Sequence, residues 1–141
     1  MSFLLDTNVV SEWVKPRPDS GLIAWLEGVD EDTVFLSVIT VAELRYGIER
    51  LPVSKKRVQL DDWLQHDLQL RFEGRILNID SVVAEDCGRL LARRRAVGSP
   101  MEVMDGFIAA TADVHELTLV TRNTADFDRA VRSMLNPWSG S

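Results

Sequence analysis

"FLLDTN", residues 3–8, runs three apolar residues straight into an acid, a hydroxyl and an amide. The apolar triplet reads as a short buried strand, and the polar triplet as the opening of a helix. Three more apolar runs rich in Val, Ile, Leu and Phe occur at residues 33–37, 75–79 and 117–121, with helically spaced segments between them. Strand alternating with helix is the pattern of βαβ units, which implies a parallel sheet with helices on both faces. The expected class is α/β: a three-layer α/β/α sandwich around a central, mostly parallel sheet of about four to five strands.

The helical segments carry their own punctuation. Pro16 and Pro18 end the first helix, and Asp19 or Ser20 can cap the next. Residues 40–51 set Val41, Leu44, Ile48 and Leu51 on one face. Residues 55–72 predict a long charged helix with Val58, Leu60, Trp63, Leu64, Leu68 and Leu70 as its apolar content. Residues 82–95 repeat the pattern through Val83, Cys87, Leu90 and Leu91. A turn at "GSP", 98–100, then precedes the helix that begins in "MDGFIAATADVH". No repeat or low-complexity linker interrupts the chain, and one domain over residues 1–141 is expected.

Bulk properties narrow the function classes. With 141 residues, 45% of them hydrophobic, the chain can build one real core. No apolar stretch reaches the ~18 residues of a membrane span, and the first residues lack a basic leader. Cys87 is the lone cysteine, so no intrachain disulfide is available and the cytoplasm is the expected compartment. A net charge of −6 argues against binding nucleic acid by bulk attraction. It leaves room for a nucleic-acid enzyme whose clustered carboxylates are offset by divalent cations.

In open α/β sheets, ligands bind beyond the carboxyl ends of the strands. Asp6 stands at such an end. Alone, it reads as a helix cap as readily as a ligand. Glu43, in "TVAELRYG", is expected in the first turn of its helix, about 120° from the centre of the apolar face, so it flanks the core. Gly47, one turn on, costs roughly 1 kcal/mol relative to Ala in a helix, which implies a need for bare backbone there. Asp105 has Ile108, Ala109 and Ala112 at i+3, i+4 and i+7, so its carboxylate emerges from the buried side and needs a partner. The small residues 109–112 also point to a closely packed neighbouring helix. The last strand exits into "RNTADF", where Asn123 and Asp126 follow a strand end as Asp6 does. Each is an ordinary turn residue by itself. Together these acids would form an oxygen-ligand pocket suited to Mg²⁺ or Mn²⁺, whereas Zn²⁺ usually recruits His or Cys. His66 and His115 lack ligand spacing and read as ordinary histidines.

Four blocks, "LLDTNVVSE", "TVAELRYGIERL", "MDGFIAATA" and "LVTRNTADF", closely resemble in order the signature blocks of PIN-domain ribonucleases. The resemblance is strongest to the VapC-like toxins of bacterial toxin–antitoxin pairs, in particular the FitB-like branch, which "RILNID" and the terminal "NPW" also resemble. It spans nearly the whole chain. It implies a PIN-like fold and a metal-dependent endoribonuclease, the toxin of a type II toxin–antitoxin system. The family's three acids map onto Asp6, Glu43 and Asp105, and its fourth position, Asp or Asn, falls on Asn123. Asp126 is the alternative fourth ligand. The implied cofactor is Mg²⁺, with Mn²⁺ as a substitute, held between Asp6 and Asp105 while Glu43 binds or orients the attacking water. The implied partners are an RNA substrate, a cognate antitoxin that covers the site, and a second copy of the chain in a homodimer that assembles further with antitoxin.

The same residues bear on other functions. A haloacid-dehalogenase-type phosphatase would need a second Asp where Asn8 stands, and neither "GxGxxG" nor "GxxxxGK[ST]" occurs. A PIN-like module that binds RNA or protein without cutting remains the alternative, against which the intact set of three acids speaks. Thr7 and Asn8 either fix Asp6 and contact phosphate or simply cap a helix. Arg45 and Arg122 are candidates for phosphate contact, and "RRR" at 93–95 either complements a helix C-terminus or guides RNA. Trp25 and Trp63 lie on amphipathic helices and are candidate antitoxin contacts. Cys87, on an apolar face, is expected to be inert.

Overall fold

Leu4 and Leu5 are adjacent, fully buried, and belong to different cores. That is the two-residue period of a strand covered on both faces. Burial of each side chain contributes about 1.5–3 kcal/mol. The computed structural model describes residues 1–140; Ser141, the last residue of the expected domain, lies outside them. The element order is β1 (Phe3–Leu5), α1 (Thr7–Trp13), α2 (Ser20–Gly28), β2 (Val34–Ser37), α3 (Val38–Glu49), α4 (Lys55–Asp62), a π-helical segment (Trp63–Asp67), α5 (Leu68–Arg71), β3 (Ile76–Leu77), α6 (Ser81–Ala96), α7 (Val103–Val114), β4 (Thr118–Val120), α8 (Thr124–Phe127) and β5 (Met134–Leu135).

The sheet has five strands in the order β3-β2-β1-β4-β5, and every pairing is parallel. Leu5 shares one core with Val9, Val10, Leu44, Leu64, Leu68 and Phe72, and Leu4 shares the other with Leu90, Ile108, Ala109, Leu119 and Phe127. β5 is the strand that no long apolar run announced. It is only two residues long, and backbone bonds from Leu119 to Ser133 and from Thr121 to Leu135, both 3.0 Å, align it on β4.

The expected 55–72 helix is present as α4, the π-helical segment and α5 in sequence, with Leu64 and Leu68 buried but Val58 and Leu70 exposed. The helix expected from residue 40 begins at Val38, because Ser37 ends β2 and caps α3 by accepting from the Ile39 amide at 3.0 Å. α6 and α7 pack so closely that a Cβ on Gly106 would lie 2.8 Å from Leu91 Cδ2 and 3.2 Å from Cys87 Sγ. A bare backbone at Gly106 therefore sets how near the first turn of α7 comes to α6. Cys87 is buried in this contact, and burial pushes its thiol pKa up, as expected of an inert core thiol. No helix among the described residues is long and apolar enough to cross a membrane.

Candidate functional site

The chain leaves β1 towards β2 and β3 on one side and adds β4 and β5 on the other. A crevice must open at the carboxyl ends of β1 and β4, where the connections diverge. A cavity of about 380 Å³ lies there, lined by Asp6, Thr7, Asn8, Glu43, Asp105 and Asn123, with Ser11, Glu12, Lys15, Arg122 and Trp138 around them.

Asp6 is the residue immediately after β1, and only 5% of it is exposed. Its Oδ1 accepts from the Thr7 amide at 2.8 Å, so it does cap α1. Its Oδ2 accepts from Thr121 Oγ1 at 2.8 Å and from Asn8 Nδ2 at 3.0 Å. Capping and cavity lining thus coexist in one carboxylate, with Oδ1 at the helix start and Oδ2 shared by Asn8 of α1 and Thr121 at the end of β4. Burial raises the Asp6 pKa, the donors from Thr121 and Thr7 oppose that, and the nearby Glu43 charge adds to it.

Glu43 lies in the second turn of α3, because the helix starts earlier than the apolar spacing implied. Its Oε1 accepts from Thr7 Oγ1 at 2.6 Å, and that hydroxyl lies 3.1 Å from Thr40 Oγ1. Thr7 therefore ties the start of α1 to α3. Gly47, one turn further, has nothing within 4 Å of the position a Cβ would take. The glycine lines a second, apolar groove, and no neighbour among the described residues supplies the expected need for bare backbone there.

Asp105 lies in the first turn of α7, where Glu102 supplies no side-chain cap. Burial comes first among the causes that raise its pKa to about 6, followed by the charges of Asp6, Glu43, Asp126 and Glu102. A carboxyl so placed has much to gain from a cation. Asn123 lines the cavity, and its backbone N–H donates to Thr121 Oγ1 at 3.0 Å. Asp126 sits in α8, outside the lining residues, and reaches the site through its charge on Asp105.

The acids thus share a cavity without being drawn into a tight ligand set: among the described residues, no three His, Cys, Asp or Glu side chains are grouped closely enough to hold a metal as they stand. Their chemistry nevertheless suits a hard divalent cation, since the donors are oxygens from three separate elements and Asp105 carries unrelieved repulsion.

A scan against family models matches the PIN domain over residues 3–132. The chain belongs to the PIN domain family. Among curated proteins, this PIN domain is 42% identical to Toxin FitB of Neisseria gonorrhoeae over 96% of its own length and 97% of that protein's. It is 37% identical to VapC ribonuclease Y4jK of Sinorhizobium fredii over 96% of each chain. Among solved structures it superposes on a chain of FitAcB from Neisseria gonorrhoeae with a TM-score of 0.90 at 41% identity, covering 97% of this chain and 99% of that one. A chain of VapBC2 from Rickettsia felis, bound to a DNA fragment from its promoter, gives 0.79 at 27% identity, covering 96% and 98%.

Several residues in and directly behind the cavity wall of this PIN domain lie outside what the sequence alone pointed to. Thr121 is the most consequential, because it donates to Asp6 and accepts from the Asn123 amide. The available signal was a hydroxyl ending an apolar strand at the same sheet edge as Asp6. Lys15 and Trp138 were not singled out for this cavity either: Lys15 pairs with Glu12 at 2.8 Å, and Trp138 sits under the Arg122 guanidinium at 5.7 Å. Arg122 does reach the cavity, whereas Arg45 is turned to Asp61 and Glu49. His66 and His115 are exposed and outside it.

Proposed function

We propose that the chain is the toxin of a type II toxin–antitoxin pair, an endoribonuclease that hydrolyses RNA phosphodiester bonds with the help of Mg²⁺ or Mn²⁺. The observation that carries this reading is the convergence of Asp6, Glu43 and Asp105, from three separate elements, on one cavity at the β1/β4 edge. Relatives across the PIN family carry ribonuclease and endonuclease names, including a tRNA(fMet)-specific endonuclease VapC of Shigella flexneri at 25% identity.

Asp6 and Asp105 would hold the cation, with Asn123 as a neutral fourth donor and Asp126 adding charge from α8. When bound, the cation supplies a polarised water and stabilises charge developing on the scissile phosphate. Thr121 and Asn8 both donate to one Asp6 oxygen and so fix the carboxylate's orientation. Thr7 fixes Glu43, whose free oxygen would accept a proton from the attacking water. Arg122, which lines the same cavity, would take a non-bridging phosphate oxygen.

The cognate antitoxin would occupy the second groove, about 290 Å³, walled by Val14, Leu44, Ile48, Leu51, Leu60 and Trp63. This groove shares Ser11, Lys15 and Glu43 with the acid cavity, so an apolar segment lying in it could insert a basic side chain among the acids. Trp63 is where that reading needs it. Trp25 packs edge-on against Phe3 at 5.1 Å, as part of the core margin, and does not line the groove. A cytoplasmic homodimer that enlarges on binding antitoxin completes the reading.

Cleavage of single-stranded RNA, with and without Mg²⁺, by wild type and Asp6→Asn tests the central claim. Metal-dependent cutting lost in the variant is expected. A wild type that binds RNA but leaves it intact in both Mg²⁺ and Mn²⁺ would instead identify a non-cleaving binding module.

A further inference from the structure

The acid cavity repels the polyanion it is proposed to cut, so an RNA strand needs positive charge close by. A separate cavity of about 470 Å³ lies between the C-terminal turn of α6 and the segment after α8, lined by Arg93, Arg94, Ser99, Ala125, Asp128 and Arg129, with Val97. Its wall carries three arginines against one acid, in a chain of net charge −6. It is close to the acid cavity: Asn123 lines one and Ala125 the other, and two Cα–Cα steps span at most about 7.6 Å.

The arginines differ in how they are held. Arg45, Arg57, Arg71, Arg89 and Arg132 each have an acid within 4.0 Å; Arg93 and Arg129, like Arg17, Arg50, Arg75, Arg95 and Arg122, have none among the described residues, although the Arg93 charge is felt at Asp113. Arg94 is held by neutral acceptors only: Nε donates to Ser99 O at 2.9 Å, Nη2 to Ser99 Oγ at 3.1 Å and Nη1 to Asp128 O at 3.3 Å. Its charge is therefore fixed in place and not cancelled. Arg129 takes up the left-handed backbone, φ 62°, which is uncommon for a side chain of this size.

We propose that this arginine-lined cavity binds phosphates of the RNA strand beside the scissile bond, carrying the backbone past α8. Guanidinium forks match phosphate oxygens, and contacts to the backbone hold a strand without reading its sequence. The proposal rests on the ribonuclease reading above and adds residues outside the acid cavity to it.

The test uses the cleavage-deficient Asp6→Asn protein and a mixed-sequence, 12-nucleotide single-stranded RNA, with Kd measured across a salt series. Arg93→Ala combined with Arg129→Gly should weaken binding roughly tenfold and lower the slope of log K against log salt by about 1.4, the share of two phosphate contacts. Glycine keeps the left-handed backbone at 129 accessible, and Arg93→Ala alone should show a smaller loss in the same direction. Arg89→Ala, on the same helix but paired with Glu85, should match the parent. Unchanged affinity and slope in the double variant overturn the proposal and leave the ribonuclease reading standing. Weakened antitoxin binding with RNA affinity intact also overturns it, by giving the patch to the protein partner. A wild type that neither binds nor cuts RNA in Mg²⁺ overturns both.

Discussion

The two cavities that meet at Glu43 are built from opposite materials. The one at the β1/β4 edge is walled by carboxylates, amides and hydroxyls, and its geometry is held by hydrogen bonds such as Thr121 to Asp6 and Thr7 to Glu43. The neighbouring groove is walled by Leu44, Ile48, Leu51, Leu60 and Trp63, and its shape comes from packing of α3 against α4. Polar walls give direction and charge; apolar walls give area. One chain can thus place a polar, acid-lined pocket and an apolar groove side by side while sharing only Ser11, Lys15 and Glu43 between them. The contrast recurs inside the acid cavity. Asp6 is satisfied by three donors, whereas the leading influences on Asp105 all raise its pKa.

The largest expected effect separates the cavities outright. Asp6→Asn should reduce Mg²⁺-dependent RNA cleavage to background while changing antitoxin affinity only a few-fold, as read by cleavage and by titration calorimetry. If antitoxin binding collapses as well, the two cavities act as one surface and the contrast fails.

The reciprocal change is next. Trp63→Ala should weaken antitoxin binding by about 2 kcal/mol, roughly thirtyfold, because buried aromatic anchors dominate such grooves. Its effect on cleavage should be far smaller. Saturating Mg²⁺ should also lower antitoxin affinity, since the inserted cation and the metal would seek the same acids. Equal affinity with and without Mg²⁺, together with a silent Trp63→Ala, would place the antitoxin elsewhere.

Thr121→Val probes how much the hydrogen-bonded wall matters. It removes a donor to Asp6 at nearly constant volume and should cost roughly 10–100-fold in metal affinity or activity, the usual range for a residue that orients a ligand. Mn²⁺ binding followed by calorimetry would show it, and an unchanged affinity would mean Asp6 needs no such support.

The smallest effect concerns stability. Folding raises the Asp105 pKa from 3.8 to about 6. Between those values the folded protein holds a proton that the unfolded chain has released, so the metal-free protein should lose stability as pH rises through that window. Asp105→Asn should flatten that slope and raise the metal-free Tm at pH 7 by a few degrees, seen by thermal melts from pH 4 to 7. A lower Tm would show that Asp105 serves α7 structurally.

Much of this was legible in the chain. The four apolar runs hold β1, β2, β3 and β4 in order, because strands of a parallel sheet covered on both faces need uninterrupted apolar residues. Asp6, Glu43 and Asn123 line one cavity because a parallel sheet brings the segments leaving its strands together at its carboxyl edge, and the first turn of α7 adds Asp105 to it. β5 was not legible: two residues carry no periodicity, and the strand exists through its bonds to β4. The start of α3 was misplaced by two residues, since the apolar spacing shows the buried face while the Ser37 cap sets the boundary.

The sequence alone determined the order of elements as far as β4, the two-sided burial of the sheet and which acids follow its strands or open its helices, because hydrophobic period and residue chemistry are local properties. Tertiary structure alone decided that Thr121 supports Asp6 across 115 residues, that Trp63 and not Trp25 faces the groove, and that Asp105 is held with its charge unrelieved. Each of these depends on which distant side chains share a space, and that is set by the packing of α7 on α6 and of β4 on β1, which no stretch of sequence contains by itself.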